Sequence, residues 1–188
     1  PKGLEKLGER LFAQAAGMAS FYFCQLRPHP AHALDGRCQW IRGERTLTDT
    51  LMGLSFQLQP QSFFQVNPPQ AEALYAAALD MAQLSGGGWA LDAYCGAGTI
   101  TLCLAGRIPR VYGAEIVPEA VENARANARR NGIGNARFLC GDAPQAAREL
   151  AGRGVRPDVI VVDPPRKGLS PETPEVLASM APKRIVYV

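Results

Sequence analysis

The sequence is poor in histidine and has no cysteines at metal-ligand spacing. It contains 2 histidines among 188 residues, and none of its 5 cysteines forms a CxxC pair or another pattern typical of a zinc site. The sequence therefore predicts no metal site. An odd number of scattered cysteines, without a secretory signal, favours free thiols in a reducing compartment, and we expect a cytoplasmic protein. These cysteines are Cys24, Cys38, Cys95, Cys103 and Cys140.

The sequence also lacks a long apolar run and a strong excess of charge of either sign. None of its apolar stretches approaches the roughly 20 residues that a membrane-spanning helix needs. The formal net charge is +3, and 47% of the residues are hydrophobic against 20% charged, which is typical of a soluble globular protein. We therefore expect no membrane association. The mild positive charge permits an anionic partner without requiring one.

A glycine-rich turn is the most informative feature of the sequence. Residues 89–105 read WALDAYCGAGTITLCLA, which predicts a buried strand, a turn with Gly96 and Gly98, and a helix. Glycine allows a sharp turn and lets a ligand approach the main chain beside the free N–H groups that begin the helix. Thr101 replaces the third glycine of a dinucleotide fingerprint, so the turn favours a nucleoside without phosphates.

A carboxylate follows the turn at the spacing of a ribose-binding acid. Glu115 stands 17 residues beyond Gly98, at the end of the apolar segment 111–114. In doubly wound folds, an acid about 20 residues after the glycines binds the ribose hydroxyls. The sequence thus predicts a ribose-containing ligand. The alternative is that Glu115 only caps the helix that begins near Pro118.

Strand and helix patterns alternate from residue 89 onward. The predicted strands lie at about 89–94, 111–116, 136–141, 157–163 and 184–188, and the predicted helices near 99–106, 118–131, 143–152 and 172–181. This alternation is typical of an α/β fold with a parallel sheet and helices on both faces. The carboxyl ends of parallel strands meet at one edge, so we expect Asp163, which follows the fourth strand, beside Gly96 and Glu115.

The first part of the chain, residues 1–60, predicts a partial α+β domain. The patterns indicate a helix near residues 4–12, a strand at 20–26 and two short strands within 46–59. The turn between the two short strands falls at Met52-Gly53. His29 and His32 lie in a proline-rich loop, where solvated positions are favoured over a metal pair. We expect these residues to be part of a longer protein, because the chain begins without methionine.

The second predicted domain comprises residues 61–188. Asn67 is suited to cap a helix that begins at Pro68 and runs to the glycines at 86–88. The segment before this helix, SFFQVN at 62–67, by itself favours a packed strand with a surface amide.

Five segments of the sequence match motifs of one known family. They are SFFQVN at 62–67, DAYCGAGT at 92–99, GAEIVPEA at 113–120, DPPRKG at 163–168 and RIVYV at 184–188. In this order and spacing the sequence resembles the RNA uracil-5-methyltransferases, which use S-adenosylmethionine to form 5-methyluridine in 23S ribosomal RNA and in transfer RNA. The bacterial 23S ribosomal RNA members are the most similar. The resemblance implies a Rossmann-like class I methyltransferase fold, with a doubly wound, mostly parallel sheet truncated after its fifth strand.

The resemblance also implies roles for residues at the strand ends. The family binds S-adenosylmethionine through the Gln of FFQVN, the aromatic residue of the turn, the acid that ends the second strand and the Asp of DPPR. The residues at these positions are Gln65, Tyr94, Glu115 and Asp163. The resemblance implies further cofactor contacts for Thr99 and Asp142. Asp142 stands at the position where the family binds the adenine amino group. Asp92, Gly96 and Gly98 shape the loop.

The family's catalytic nucleophile is absent from these residues. It is a cysteine in a Ser-Cys-Asn-Pro segment, which the resemblance places just after Val188, and the general base lies further on. The family adds this thiolate to C6 of an extruded uracil so that C5 attacks the sulfonium methyl group, and the base then removes the C5 proton. We therefore expect the full-length parent to methylate a uridine of 23S ribosomal RNA and this fragment to be inactive.

No cysteine in the chain is expected to replace that nucleophile. Cys95 lies inside the cofactor turn, and Cys103 and Cys140 are predicted core residues of a helix and a strand.

Several alternatives remain open. A transfer RNA enzyme of the same family, an amino-group methyltransferase and a non-catalytic cofactor-binding module would share the fold. Arg166 disfavours the amino-group methyltransferase, because that class carries an aromatic residue at this position.

Arg125, Arg129 and Arg130 favour a solvated helix face over an RNA contact, whereas the loop with Arg166 and Lys167 is a candidate for contact with a phosphate backbone. The expected partner is 23S ribosomal RNA, bound by a monomer.

Overall fold

The structure of the protein is a computed structural model that describes residues 2–29, 34, 36–60, 62–84 and 87–188. The helices in these ranges are α1 Leu4–Gln14, α2 Pro68–Ala82, α3 Thr99–Ala105, α4 Pro118–Arg130, α5 Ala143–Gly152 and α6 Thr173–Ser179. The strands are β1 Ser20–Leu26, β2 Gly36–Gly43, β3 Leu47–Leu51, β4 Leu54–Leu58, β5 Trp89–Asp92, β6 Arg110–Glu115, β7 Ala136–Cys140, β8 Val159–Val162 and β9 Arg184–Tyr187. Within the same ranges, no helix has the length and apolarity to cross a membrane.

Five parallel strands form the central sheet in the order β7-β6-β5-β8-β9. The chain runs outward from β5 to β6 and β7, and then returns to the other side of β5 with β8 and β9. In open α/β sheets, ligands bind outside the carboxyl ends of the strands where the order reverses, which here is at β5. The predicted α/β fold with a parallel sheet is confirmed.

Both faces of the sheet are covered, as expected for strands that are apolar along their whole length. In β8, Val159 and Val161 belong to the core formed with α2, α3 and α4, whereas Ile160 and Val162 belong to the core formed with α5 and α6. All four side chains are buried. The strand ends are therefore held from two sides, which gives the loops above them a rigid base.

The β3–β4 hairpin joins the same core. Its turn, Met52-Gly53, lies at the predicted place, and both residues have a left-handed backbone with φ of +52° and +74°, as a two-residue type I′ turn requires. Leu51 and Phe56 are fully buried in the core that includes α2, α3 and α4. The domain division at residue 60 stays a prediction.

Two asparagine side chains of α4, and that of Asn131 directly after it, pair with the outer edge of β4. Asn131 accepts a hydrogen bond from the N–H of Ser55 at 2.9 Å and donates to its carbonyl at 2.8 Å. Asn127 accepts from the N–H of Gln57 at 2.8 Å, and Asn123 donates to the Gln57 carbonyl at 2.7 Å. These amides take the place of a neighbouring strand, so the edge of β4 is not open for further pairing there.

The β1–β2 pair contains a disulfide. Cys24 and Cys38 face each other in the antiparallel register and are bonded. The prediction of free thiols is therefore wrong for these two cysteines and correct for Cys95, Cys103 and Cys140. The pairing depends on β2, which has no counterpart among the predicted elements, and the 14-residue separation along the chain does not reveal it.

The segment around α2 differs from the prediction at both ends. Asn67 caps the helix as predicted, but α2 ends at Ala82, and Gln83 has a left-handed φ of +43°. Residues 85 and 86 of the predicted helix end lie outside the described residues. Residues 62–67 do not form a strand, and Phe63 is 71% exposed.

Two single residues, Cys140 and His32, remain to be compared with their predictions. Cys140 is exposed rather than part of the core, because it ends β7, which in the described ranges is the outermost strand and has a neighbour on one side. His32, one of the two loop histidines, lies outside the described residues.

Asp158 joins the beginnings of three strands of the central sheet. Its carboxylate accepts from the N–H of Trp89 at 3.0 Å and from the ammonium group of Lys183 at 2.7 Å. Its carbonyl accepts from the N–H groups of Lys183 and Arg184 at 2.8 and 3.2 Å. A Cβ on Gly88 would lie 1.8 Å from the carboxylate oxygen Oδ2 of Asp158.

Gly88→Ala is expected to lower the free energy of unfolding by about 1–3 kcal/mol, because the added methyl group forces the Asp158 carboxylate away from both of its partners. Gly87→Ala is the matched control, since nothing lies within 4 Å of a Cβ at that position. Urea unfolding followed by circular dichroism measures both variants. Equal midpoints for the two would contradict this account.

Candidate functional site

The glycine-rich turn connects β5 to α3 at the centre of the sheet. Gly96 and Gly98 have left-handed backbones, with φ of +52° and +92°, which favours glycine at both positions. A Cβ on Gly98 would lie 3.2 Å from the Cβ of Ala124 in α4, whereas nothing lies within 4 Å of one on Gly96. Gly98 therefore allows α4 to approach, and Gly96 leaves open space beside the turn.

Asp92, the last residue of β5, is fully buried beneath the turn. Its Oδ2 accepts from the hydroxyl of Thr101 at 2.7 Å, and its Oδ1 accepts from the N–H of Tyr94 at 3.3 Å. Burial raises the pKa of Asp92 to about 7, because the two hydrogen bonds only partly offset the removal of the carboxylate from water. The carboxyl group ties strand, turn and helix together.

A glycine of the neighbouring strand replaces the missing third glycine. A Cβ on Gly113 of β6 would lie 2.7 Å from the hydroxyl oxygen of Thr101, and 2.9 Å from both the Cβ of Cys95 and the Cδ1 of Phe138. The close approach of helix and strand, for which the fingerprint uses its third glycine, is therefore provided by β6.

Glu115 lies at the carboxyl end of β6, in contact with the turn. Its Oε2 accepts from the N–H of Gly96 at 3.1 Å, and its Oε1 accepts from the N–H of Val117 at 2.9 Å. Glu115 therefore contacts both the glycine turn and the residue that precedes α4. Its role toward a ligand stays a prediction.

Gln65, Thr99 and Asp163 converge on Tyr75 of α2. The Tyr75 hydroxyl lies 3.5 Å from the Thr99 hydroxyl, and the side chain of Gln65 is a polar neighbour. Burial raises the pKa of Tyr75, and the nearby carboxylate of Asp163 adds to that rise. Burial also raises the pKa of Asp163 itself. Tyr75 was not predicted as a site residue, because it occupies a regular position on the apolar face of α2.

Tyr94 and Asp142 form a second group of predicted residues. Thr173 of α6 is a polar neighbour of the Tyr94 side chain. Burial raises the pKa of Tyr94, and the charge of the neighbouring Asp142 contributes. Asp142 also caps α5, because its Oδ1 accepts from the N–H of Gln145 at 2.8 Å. The structure therefore brings the two residues together and gives Asp142 a structural role as well.

Asn127 of α4 is another residue of the site that was not predicted from the sequence. Its side chain is fully buried. Its Nδ2 donates to the carbonyl of Ala97 in the turn at 3.0 Å, and its Oδ1 accepts from the N–H of Gln57 in β4. One amide thus connects the turn to the β3–β4 hairpin. The four-residue spacing of Asn123, Asn127 and Asn131 is the signal that could have identified it.

The two buried free cysteines are not suited to act as nucleophiles. Burial raises the pKa of Cys95 well above its ordinary value and that of Cys103 to about 12, so both thiols are protonated near neutral pH. Among the residues that the structure describes, no group of three or more His, Cys, Asp or Glu side chains is arranged to hold a metal ion.

The strand order, the reversal at β5 and the glycine turn with its adjoining acid define a Rossmann-like methyltransferase fold. A sequence model of the family described as tRNA (Uracil-5-)-methyltransferase matches residues 40–188. The chain belongs to this family, and the predicted membership of the RNA uracil-5-methyltransferases is confirmed.

Bacterial relatives cover most of the chain. A protein of Lactiplantibacillus plantarum, named as an uncharacterized RNA methyltransferase, is 51% identical over 148 residues, which are 79% of this chain and 32% of the relative. One of Listeria monocytogenes with the same description is 43% identical over 164 residues, or 87% and 36% of the two chains. The chain thus spans about a third of the length of the relatives it matches.

Solved structures show the same architecture. The crystal structure of Pyrococcus abyssi tRNA (uracil-54, C5)-methyltransferase in complex with S-adenosyl-L-homocysteine has a TM-score of 0.71 and 28% identity, and covers 93% of this chain and 42% of that one. A SAM-dependent methyltransferase of Agrobacterium tumefaciens, 22% identical with a TM-score of 0.55 over 70% of this chain and 44% of that one, shares the fold.

Asp92→Asn is expected to change how stability depends on pH. The pKa of Asp92 rises on folding from about 4 to about 7, so between these values the folded chain holds a proton that the unfolded chain has released. Asp92 therefore makes the free energy of unfolding fall as the pH rises through this window, and adds no further change above it. The asparagine variant lacks this contribution.

The measurement is urea unfolding of the wild type and of Asp92→Asn at about pH 5, 6, 7 and 8. The free energy of unfolding of the variant, relative to the wild type, should increase with pH up to about 7 and then level off. Parallel curves for the two proteins would show that Asp92 is ionised throughout and would reject the assignment of a raised pKa.

Proposed function

We propose that this chain carries the S-adenosylmethionine-binding part of an RNA uracil-5-methyltransferase whose full-length form methylates C5 of a uridine in 23S ribosomal RNA. The observation that carries the proposal is the contact of Glu115 with the N–H of Gly96, in a chain that belongs to this family. It puts a carboxylate beside an open glycine at the switch point of the sheet, where nucleosides bind in such folds.

The groups around the turn fit S-adenosylmethionine. The ligand has ribose hydroxyls, an adenine amino group and an amino-acid ammonium group, all of which donate hydrogen bonds, and its sulfur is positively charged. Three carboxylates at or just beyond the carboxyl ends of β6, β7 and β8 can accept such bonds and oppose that charge: Glu115, Asp142 and Asp163. The open space beside Gly96 admits the ligand to the main chain.

The proposed contacts follow from where these side chains lie. Glu115 binds the ribose hydroxyls, and Asp142 binds the adenine amino group. Gln65 and Asp163, which share Tyr75 as a neighbour, hold the amino-acid end. The remaining proposed contacts come from Tyr94, Gly96, Gly98 and Thr99. The bound cofactor supplies a methyl group on positively charged sulfur, and the residues of this chain bind and orient it.

We also propose that these 188 residues do not transfer the methyl group by themselves. C5 of uracil is a weak nucleophile, and a thiolate is needed to activate it. Burial keeps Cys95 and Cys103 protonated, and the sequence contains no Ser-Cys-Asn-Pro segment. The thiolate and the general base would come from residues outside this chain.

Transfer RNA is the second candidate substrate. The matching family is described by its transfer RNA activity, and the Pyrococcus abyssi relative is named as a transfer RNA enzyme. The choice of 23S ribosomal RNA rests on the resemblance of the sequence to the bacterial family members that act on it.

Glu115→Ala is expected to weaken the binding of S-adenosylhomocysteine about tenfold or more, because charge-assisted hydrogen bonds to the ribose are removed. Isothermal titration calorimetry measures the affinity. Glu119→Ala removes an exposed glutamate four residues further on and is the matched control. Glu115→Gln keeps an acceptor beside Gly96 and should lose less affinity than the alanine variant. Unchanged affinity in Glu115→Ala would remove the ribose assignment.

The substrate is tested with radiolabelled S-adenosylmethionine and unmodified transcripts of 23S ribosomal RNA and transfer RNA. We expect no labelled RNA from the 188-residue chain, and label at C5 of uridine in 23S RNA from the proposed full-length protein. Turnover by the short chain would mean that the nucleophile lies within it. Label in the transfer RNA alone would establish the second candidate.

A further inference from the structure

We propose that a groove along the open edge of β7 binds the phosphate backbone of the substrate RNA, an inference that rests on the proposed function. In the described part of the chain, β7 pairs with β6 on one side, and its other edge faces a cavity of about 610 Å³ between α4 and the end of α5. Four arginines line this cavity: Arg125, Arg129, Arg137 and Arg153. We call it the arginine groove.

Two of these arginines are held against the strand edge. Arg125 donates from Nη2 to the carbonyl of Phe138 at 2.9 Å, and Arg137 donates from Nη1 to the carbonyls of Gly134 and Ala136 at 2.8 and 3.1 Å. A guanidinium group has five N–H donors, so each keeps donors for a further partner. The contacts with the strand edge thus orient these two guanidinium groups along the groove. The arginine side chains therefore lose less conformational entropy when an anion binds.

The groove carries an excess of positive charge. No acidic side chain is among the described residues that line it, and two glutamates outside the lining, Glu122 and Glu149, pair with Arg125 and Arg153. These pairs are exposed to solvent, so they are weak and can be exchanged readily for a phosphate. The side chain of Arg129 has no hydrogen-bond partner among the described residues. Four arginines against two glutamates leave a net attraction for an anion.

An RNA backbone fits this groove better than another protein strand. The outward carbonyls of Phe138 and Ala136 are already occupied by arginine, so a strand added at this edge could not form those ladder bonds. Guanidinium groups match phosphate oxygens in geometry and charge. The Tyr112 ring adds an aromatic surface to the lining.

The groove also leads toward the proposed cofactor site. Cys140, at the other end of β7, is the register partner of Glu115, and the N–H of Gly141 donates to the Glu115 carbonyl at 2.9 Å. A strand of this length, about five residues, spans about 13 Å between its end Cα atoms. A backbone bound along β7 would therefore run within a few nucleotides of the site where the methyl group is presented.

The test compares two double variants that remove the same amount of charge. Arg129→Gln/Arg137→Gln removes groove arginines, and the control Arg107→Gln/Arg148→Gln removes exposed arginines that pair with Asp80 and Glu172 elsewhere. The probe is a fluorescein-labelled single-stranded RNA of about 20 nucleotides, and anisotropy gives its affinity over a range of KCl concentrations. The slope of log K against log[KCl] falls in magnitude by about 0.7 for each phosphate that the protein no longer neutralises.

We expect the groove variant to bind the RNA several-fold more weakly than the control and with a slope smaller by about 1.4. Because Arg137 also hydrogen-bonds with the edge of β7, Arg129→Gln is measured alone, and it should show about half of that decrease in slope. The proposal is wrong if groove and control variants behave alike, or if the wild type does not bind the RNA.

Calorimetry with S-adenosylhomocysteine separates this outcome from the proposed function. The groove variant should keep wild-type affinity for that ligand. Failure of the groove with intact cofactor binding would leave the proposed function standing. A weakened cofactor affinity in the groove variant would show that the substitutions disturb the site itself and would overturn the separate role of the groove.

Discussion

The buried carboxyl group of Asp92 is the interaction on which the rest of the site depends. It accepts from the hydroxyl of Thr101 in α3 and from the N–H of Tyr94 in the turn, so the end of β5 is tied to both elements. Thr101 can occupy that position only because Gly113 leaves room for it in the neighbouring strand. The pKa of Asp92 is raised because its carboxyl group lies where no water reaches it.

A second buried polar side chain, that of Asn127 in α4, also fixes the turn. Asn127 donates to the Ala97 carbonyl and accepts from Gln57, so α4 fixes the turn and the β3–β4 hairpin through one amide. A buried amide is stable when its donors and acceptor are all satisfied, and this requirement specifies the geometry of its partners. Hairpin, helix and turn therefore keep a single relative arrangement, although they come from separate parts of the sequence.

The sequence predicted the parallel sheet, its flanking helices and the meeting of Gly96 with Glu115, because these follow from local patterns and from the rule that strand ends share one edge. It did not predict β2 or the Cys24–Cys38 disulfide, since a strand with mixed polarity has no clear period and the bond depends on register. Tyr75 was missed for a related reason. Its ring fits the apolar pattern of α2, and only the tertiary fold brings its hydroxyl to Gln65 and Thr99.

The charges of the structure are separated in a way that fits the proposed division between a bound cofactor and an RNA backbone. Carboxylates gather beyond the carboxyl ends of the strands, at Glu115, Asp142 and Asp163, while arginines line the edge of β7. Carboxylates attract a cationic cofactor and repel phosphates, so a nucleic acid backbone is disfavoured beside these three residues, whereas Arg166 and Lys167, exposed on the loop after Asp163, attract one. An uncharged base extruded from its stack does not meet this repulsion. The distribution of charge thus fits the proposed arrangement, in which a backbone lies at the side of the sheet and a single base at its centre.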